Sequence, residues 1–297
     1  MSKQKKAAKT HGERKKRTYF QETMHRFMQN KGAVIGLIVI GAMLLTALLC
    51  PLFLNYREDV IKNHIPERLQ KPSSEHWFGT DTMGRDLFNR VIWGTRYSLS
   101  IGVASTIVSM VVGVFLGAIA GYYSGSMAEM ILMRFADILT AVPGLLFAMV
   151  IVAIFGRSTV NLVIACSIMC VASFLRVTRA AVLSVTGMEY VEASRAIGKT
   201  DLGTLFGHVL PNALSPIIVE ATLDVAALIL MVSGLSYLGL GIPAPAPEWG
   251  AMLSDARQYI GTYPHLMLPG FFVLFAVLAF NLMGDGLRSA LDPKQKR

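Results

Sequence analysis

The sequence predicts an all-α membrane protein with six transmembrane helices. Of its 297 residues, 53% are hydrophobic and only 16% are charged, whereas soluble domains contain about 25% charged residues. Uncharged apolar runs of about 20 residues recur along the chain, and a helix of that length crosses the roughly 30 Å hydrocarbon core of a bilayer. These observations exclude a soluble domain. They also exclude a disordered chain, because disorder requires low hydrophobicity.

Apolar segments and their boundaries place the six helices. They are predicted at residues 33–54, 97–120, 135–155, 160–175, 214–240 and 266–287. The fourth segment is short, so we expect its helix to continue while Arg176 and Arg179 extend toward the lipid headgroups. The chain then divides into a basic tail (1–32), the first transmembrane helix (33–54), an extracytoplasmic segment (55–96), a core of five transmembrane helices (97–287) and a C-terminus (288–297).

The distribution of basic residues predicts the orientation in the membrane. Six spans place both termini on one side, and short cytoplasmic loops carry an excess of Lys and Arg. With the N-terminus inside, the inner segments hold 19 of the 28 basic residues and the outer segments hold 9. Both termini are therefore predicted to be cytoplasmic. The tail 1–32 is interpreted as an orientation signal held near anionic lipid rather than as a nucleic-acid-binding arm.

Small residues at four-residue spacing predict how the second span packs. They are Ser105, Ser109, Gly113, Gly117, Gly121 and Gly125. Because lipid supplies no hydrophobic drive for helix association, such a stripe provides close backbone packing instead. The stripe turns by about 40° per step on an ideal helix, so it can serve more than one neighbouring helix.

Three acidic residues lie within the predicted spans. Ionisable groups at membrane depth usually line a pathway or form a pair. Asp137 follows Arg134 by three residues, which favours an ion pair one helical turn apart. Glu220 and Asp224 lie four residues apart on one helix face. They either line a wet translocation path that attracts cationic groups, or hydrogen-bond to neighbouring helices.

The inner segment between the fourth and fifth spans, at about residues 186–212, predicts a helix-turn-helix. Gly198 can end a first helix, and Asp201 can cap a second helix that Pro211 closes. Gly198-Lys199-Thr200 is not a phosphate-binding loop, because Ala193 replaces the required earlier glycine and no strand precedes it. If ATP drives this protein, the ATPase is expected to be another chain.

This loop resembles the EAA loop of ABC importer permeases. The matching positions, at the spacing of that motif, are Glu192, Ala193, Ser194, Gly198, Leu210 and Pro211. Two positions depart from the pattern, since Ser194 replaces an alanine and His208 replaces a hydrophobic residue. The resemblance implies that the loop is the helix through which a separate ATPase drives the permease.

Three further segments resemble the second (C-type) permease subunit of dipeptide, oligopeptide and nickel importers. They are residues 78–86, 234–253 and 281–293, which contain FGTDTMGRD, GLSYLGLG and NLMGDGLRSALDP. The resemblance implies a type I ABC importer permease fold in a bacterial or archaeal plasma membrane. It also implies one half of a translocation path for peptides or a related small solute such as a nickel chelate.

The resemblance further implies the partners. They are a homologous permease subunit, two cytoplasmic ATPases that bind ATP and Mg, and an extracytoplasmic binding protein, which we expect to meet residues 55–96 and 242–264. This chain itself is expected to bind no cofactor, metal or nucleic acid and to catalyse no reaction. The alternative is a self-sufficient secondary transporter or channel, but such transporters often carry paired internal repeats, and none is evident between the halves.

Overall fold

A computed structural model describes residues 19–291, with side chains from residue 21 onward. In this part of the chain the regular structure is helical, apart from one isolated bridge between Thr80 and Asp86. The first 18 residues, which hold most of the predicted basic tail, and residues 292–297 lie outside the described residues.

The helices are numbered in chain order. They are α1 (Tyr19–Gln29), α2 (Lys31–Phe53), α3 (Leu87–Tyr122), α4 (Met127–Ala141), α5 (Gly144–Phe155), α6 (Thr159–Thr186), α7 (Glu189–Ala196), α8 (Asp201–Thr204), α9 (Leu210–Asn212), α10 (Leu214–Tyr237), α11 (Trp249–Ala256) and α12 (Leu268–Leu291). Within the described residues, α2, α3, α6, α10 and α12 with its preceding turn are each long and apolar enough to cross a membrane.

The third predicted span is not one straight helix. Residues 135–155 fall on α4 and α5, whose axes meet at 83°. Pro143 explains the break, because proline disfavours helical backbone at the residue before it and Val142 is extended, with φ −101° and ψ 131°. The bent pair counts as the sixth candidate span only if its two halves are taken together.

Several predicted boundaries fall inside helices, among them residue 135, which lies eight residues after the start of α4 at Met127. α3 begins at Leu87, ten residues before the predicted start, because the Asp86 side chain caps it by accepting a hydrogen bond from the Asn89 amide. The sequence predicts residues 87–96 as part of the extracytoplasmic segment, whereas in the structure they are helical and Arg90 among them is buried by protein. α12 continues past residue 287 to Leu291. α6 continues past Arg176 and Arg179 to Thr186, as the sequence predicts.

The small residues of α3 pack this helix against α6. A Cβ atom added at Gly113, Gly117 or Gly121 would lie 2.5–2.7 Å from an atom of α6, so each glycine permits a contact that no side chain would allow. The Ser167 hydroxyl of α6 donates to the Ser105 carbonyl at 3.1 Å. These four positions serve one neighbour rather than several. Gly125 lies beyond the end of α3, where an added Cβ would meet open space.

Candidate docking and translocation sites

The helix-turn-helix between α6 and α10 is a compact unit, called the hairpin here and defined as residues 189–212. α7 ends at Ala196, and Gly198 takes the left-handed conformation that turns the chain, with φ +82°. The second half is α8, a wide helical turn at Leu205–Val209, and α9. We call the end of the bundle that carries the hairpin the hairpin end.

The predicted cap of the second hairpin helix is wrong by one residue. The Thr200 side chain caps α8 by accepting a hydrogen bond from the Gly203 amide. The Asp201 carboxylate instead accepts a hydrogen bond from the Tyr122 hydroxyl at 2.9 Å. The sequence did not indicate the hydrogen bond between Asp201 and Tyr122, because Tyr122 lies 79 positions away on α3.

The motif residues divide between the inside and the outside of the hairpin. Ser194 is buried where α7 meets α8, and its hydroxyl lies 3.2 Å from that of Thr204. Glu192 and Ala193 are exposed. Within the described residues, the Glu192 carboxylate forms no ion pair or hydrogen bond, so it is available to a partner.

The last residues of the motif lead into α10. Leu210 is half-buried and Pro211 is exposed in the last turn before that helix. His208, which departs from the motif, is half-buried, and its Nε2 lies 2.9 Å from Lys199 Nζ. The second hairpin helix therefore packs through its neighbours Leu205 and Val209, which are both fully buried.

An apolar cluster seats the hairpin on the membrane helices. Its buried members come from the hairpin, α3, α6 and the start of α10; they are Val191, Leu205, Val209, Ala118, Tyr122, Ala181, Val182, Val185 and Ala213. Burial of these side chains stabilises the contact between the hairpin and the membrane helices. It does not fix their relative orientation, because the hydrophobic effect is non-directional.

The outer surface of the hairpin is also apolar. Ile197 at the turn is 82% exposed, Leu202 is 58% exposed, and Tyr190 and Phe206 are exposed as well. Phe206 stacks on Phe115 of α3 with ring centroids 6.2 Å apart, whereas the exposed Ile197 and Leu202 side chains are available to a protein or membrane partner. The sequence did not predict these exposed apolar residues, because they come from two helices and a turn and so follow no single helical period.

The two acidic residues of α10 lie near the hairpin end. Glu220 accepts a hydrogen bond from the Ser173 hydroxyl of α6. Together with Arg288, Glu220 also lines an open cleft of about 490 Å³ between α6, α10 and α12. One turn further along α10, Asp224 Oδ2 is buried without a hydrogen-bond partner in the described residues. The Cys170 thiol lies beside the same carboxyl group.

Asp137 on α4 has two arginine neighbours. Arg134 Nη1 lies 3.6 Å from Asp137 Oδ2, at the spacing that the sequence predicts. Arg176 of α6 comes closer, with Nη2 at 3.0 Å from Oδ1, and it also donates to Thr140 at 2.9 Å. Local spacing did not reveal Arg176, which lies 39 positions away. The closer contact joins α4 to α6.

The end of the bundle away from the hairpin, called the opposite end, contains a buried network of charged residues. Asp81 accepts hydrogen bonds from the Met83 amide at 2.8 Å, the Arg85 amide at 3.0 Å and Arg85 Nε at 2.7 Å. Arg90 Nε lies 3.2 Å from Asp81 Oδ2, and Arg90 Nη1 donates to the Val60 carbonyl. The 78–86 segment thereby fixes the start of α3 to the chain before it.

α11 closes the same end. Its capping residue Glu248 is fully buried and accepts hydrogen bonds from the Gly250 and Ala251 amides at 3.0 and 2.8 Å. Burial raises the pKa of Glu248, and the two amides together with the Ser98 hydroxyl oppose that shift. Trp249 is also fully buried and donates from Nε1 to the Val91 carbonyl at 3.0 Å.

These features are those of a multi-pass permease with an exposed helical hairpin at one end and a buried polar cap at the other. Comparison with known families supports this class. Residues 113–297 match the family described as binding-protein-dependent transport system inner membrane component. Residues 18–72 match the N-terminal transmembrane domain of oligopeptide transport permease C. The chain belongs to the first family and is an inner-membrane permease subunit of an ABC importer, not an enzyme, as the resemblance predicts.

Relatives match over nearly the whole chain. Dipeptide transport system permease protein DppC of Alkalihalophilus pseudofirmus is 45% identical over 278 residues, which cover 93% of this chain and 90% of the relative. Oligopeptide transport system permease protein OppC of Bacillus subtilis is 40% identical and covers 96% and 92%. Glutathione transport system permease protein GsiD of Pectobacterium atrosepticum is 40% identical and covers 94% and 93%.

A solved structure shares the fold. A chain of the MetNI methionine ABC transporter, in an inward-facing conformation, aligns with a TM-score of 0.56 and 17% identity. The alignment covers 68% of this chain and 97% of the other chain. It confirms the ABC permease fold that the sequence predicts.

Proposed function

We propose that this chain forms one half of the translocation path of a peptide importer and that its hairpin docks on a separate ATPase. The observation that carries the proposal is the hairpin surface, where Glu192 is exposed and unpaired within the described residues, and where Tyr190 and Ile197 are exposed as well. Peptide as the solute is supported by relatives named as dipeptide, oligopeptide and glutathione permeases. ATP and Mg bind to the ATPase and not to this chain.

The hairpin end faces the cytoplasm in this proposal, and both termini lie on that side. The excess of basic residues in the inner segments supports the orientation. The opposite end then faces the extracytoplasmic binding protein, and a homologous permease subunit completes the path. Closure of two ATPases moves the hairpin, and packed helices convert such a displacement into domain rocking.

The α10 cleft supplies a candidate for the path itself. Glu220 lines it, and Asp224 lies one turn deeper on the same helix face. A carboxylate in a wet cleft attracts the amino group of a peptide, since unit charges about 4 Å apart interact by about 1–4 kcal/mol between bulk water and a protein surface. Glu220→Gln is expected to raise the KM for a peptide with a free amino terminus several-fold, with little effect on its N-acetylated form. Equal effects on both peptides would remove Glu220 from the path.

The opposite end supplies a candidate contact for the binding protein. Trp77 is 66% exposed and packs against Phe88 with ring centroids 5.0 Å apart. Exposed tryptophans often dominate interface energies. Trp77→Ala is expected to reduce the stimulation of ATP hydrolysis by the binding protein and to leave the unstimulated rate unchanged. Unaltered stimulation would remove Trp77 from the contact.

The proposal is tested with the assembled transporter in liposomes. The chain is co-expressed with its neighbouring permease, ATPase and binding-protein genes, and uptake of a labelled dipeptide is measured with and without ATP. Glu192→Lys is expected to abolish ATP-dependent uptake while the complex still assembles. Glu189→Lys, an equal charge change one turn earlier on the exposed start of α7, is the matched control and is expected to retain uptake.

Two results would contradict the proposal. Normal uptake by the Glu192→Lys variant would exclude docking through this residue. Uptake by the purified chain alone, in liposomes that lack ATP, would instead favour the self-sufficient transporter or channel.

A further inference from the structure

The last residue of α3 joins a membrane helix to both halves of the hairpin. Tyr122 is 8% exposed. Its hydroxyl accepts a hydrogen bond from Arg195 Nε at 3.2 Å and donates one to Asp201 Oδ1 at 2.9 Å. The guanidinium carbon of Arg195 also lies 4.9 Å from the centre of the Tyr122 ring. Because Arg195 precedes the turn at Gly198 and Asp201 follows it, one hydroxyl spans the turn.

These contacts differ in kind from the others that seat the hairpin. The Val191, Leu205 and Val209 side chains contribute apolar area, which tolerates sliding. The hydroxyl contact between Ser194 and Thr204 lies within the hairpin. Among the described residues, the side-chain hydrogen bonds that join the hairpin to a membrane helix meet at Tyr122. A hydrogen bond weakens steeply when its angle changes, so this junction fixes direction as well as distance.

The helix on the other side of the junction does not move alone. A Cβ atom at Gly121, next to Tyr122, would lie 2.7 Å from the Arg179 carbonyl of α6. Contact this close continues through Gly117 and Gly113, so α3 and α6 form one packed pair. Displacement of Tyr122 therefore displaces both helices.

We propose that Tyr122 is a positioning residue that transmits hairpin displacement to the α3–α6 pair. This inference rests on the proposed docking of the hairpin on an ATPase. The hydroxyl suits the role because it donates to an acid and accepts from a base at once. Its loss leaves the hairpin seated by apolar contacts, yet free to turn relative to α3.

The test measures the number of dipeptides imported per ATP hydrolysed by the assembled transporter in liposomes. Tyr122→Phe keeps the ring, its packing and its contact with Arg195, and removes both hydrogen bonds. The ratio of uptake to ATP hydrolysis is expected to fall by about threefold to tenfold, the range that corresponds to the loss of one or two net hydrogen bonds. ATP hydrolysis without peptide is expected to continue at the rate of the unmodified transporter or faster.

Tyr123→Phe is the matched control. Tyr123 is the next residue and packs edge-on against Tyr122, with ring centroids 5.1 Å apart. Within the described part of the chain, its hydroxyl forms no hydrogen bond. Its ratio is expected to equal that of the unmodified transporter. Asp201→Ala removes one of the two bonds from the hairpin side and is expected to give an intermediate ratio. Combining it with Tyr122→Phe should add little further loss, since both changes break the same contact.

The outcomes separate this inference from the proposed function. An unmodified transporter without ATP-dependent uptake would overturn the proposed function. An unmodified transporter that works while Tyr122→Phe keeps the same ratio would overturn the role of Tyr122 alone. If Tyr122→Phe fails to assemble, the Asp201→Ala variant decides: a ratio equal to that of the unmodified transporter contradicts the proposal, and a reduced ratio supports it.

Discussion

The two ends of the bundle differ in how they treat charged groups. At the opposite end, Asp81, Arg85 and Arg90 are almost fully buried and form ion pairs with one another and hydrogen bonds with nearby backbone groups. At the hairpin end, Glu192 is exposed and unpaired within the described residues, and the Ile197 side chain is 82% exposed. Buried pairs fix geometry, whereas exposed charge and apolar area are available to a partner.

From this difference we expect the opposite end to be rigid on its own and the hairpin end, in the proposed function, to be completed by another subunit. The opposite end contains the buried network of charged residues, and the short helix α11 packs there with its Trp249 side chain fully buried. The hairpin end has a directional junction at Tyr122 and otherwise an apolar seat. We therefore expect Asp81→Ala at the opposite end to lower stability, and Glu192→Lys on the hairpin surface to abolish ATP-dependent transport while stability is kept.

The largest effect is expected at Asp81. Asp81→Ala removes the carboxylate that pairs with both Arg85 and Arg90 and leaves Arg85 only a longer contact with Asp255, at 4.0 Å. Breaking a buried pair costs about 3–5 kcal/mol. The midpoint of thermal unfolding in detergent measures this loss. Glu75→Ala, an exposed carboxylate of the same segment, is the control and is expected to leave the midpoint unchanged. Equal midpoints for both variants would show that the opposite end is not a rigid cap.

The next effect is expected where α3 meets α6. Gly117→Ala places a Cβ atom 2.5 Å from the Leu175 carbonyl, and overpacking of this kind costs about 1–3 kcal/mol. Gly41→Ala on α2 is the control, because an added Cβ there has no neighbour within 4 Å. We expect a lower unfolding midpoint and weaker uptake for the first variant only. An unchanged midpoint for Gly117→Ala would contradict the close packing.

The smallest effect is expected at Asp137. Arg176→Gln removes a partly exposed contact, and exposed ion pairs contribute about 0–1 kcal/mol. Arg134→Gln removes a longer and more exposed contact, at 3.6 Å, and is expected to shift the unfolding midpoint even less. A larger shift for Arg134→Gln would show that Arg134, rather than Arg176, is the main partner of Asp137.

The sequence predicted features that depend on local pattern. The apolar runs located most of the membrane helices, and the glycine spacing identified the packing face of α3. The loop motif placed Gly198 at the turn of the hairpin, because a left-handed residue after a helix favours glycine. The bend at Pro143 was also within reach of local reasoning, since proline disfavours helix at the preceding residue, but the unbroken apolar run around it favoured a straight span.

The features that the sequence did not predict depend on contacts between distant segments. Arg176 lies close to Asp137, and the Tyr122 hydroxyl donates to the carboxylate of Asp201, which the sequence predicts as a helix cap. Residues 87–96 are predicted to precede the second span, yet they are helical, and Arg90 among them is buried and donates to the distant Val60 carbonyl. Such pairings follow from the packed arrangement and leave no period in the sequence.

Cross-linking tests most directly whether the hairpin surface contacts the ATPase, as the proposed function requires. A photo-reactive amino acid replaces Ile197 at the hairpin turn in the assembled transporter, and in a second variant it replaces Ile154 on α5, which is 70% exposed away from the hairpin. We expect an ATPase adduct from position 197, with a yield that changes on ATP binding, and none from position 154. An adduct from position 154 and none from position 197 would contradict it.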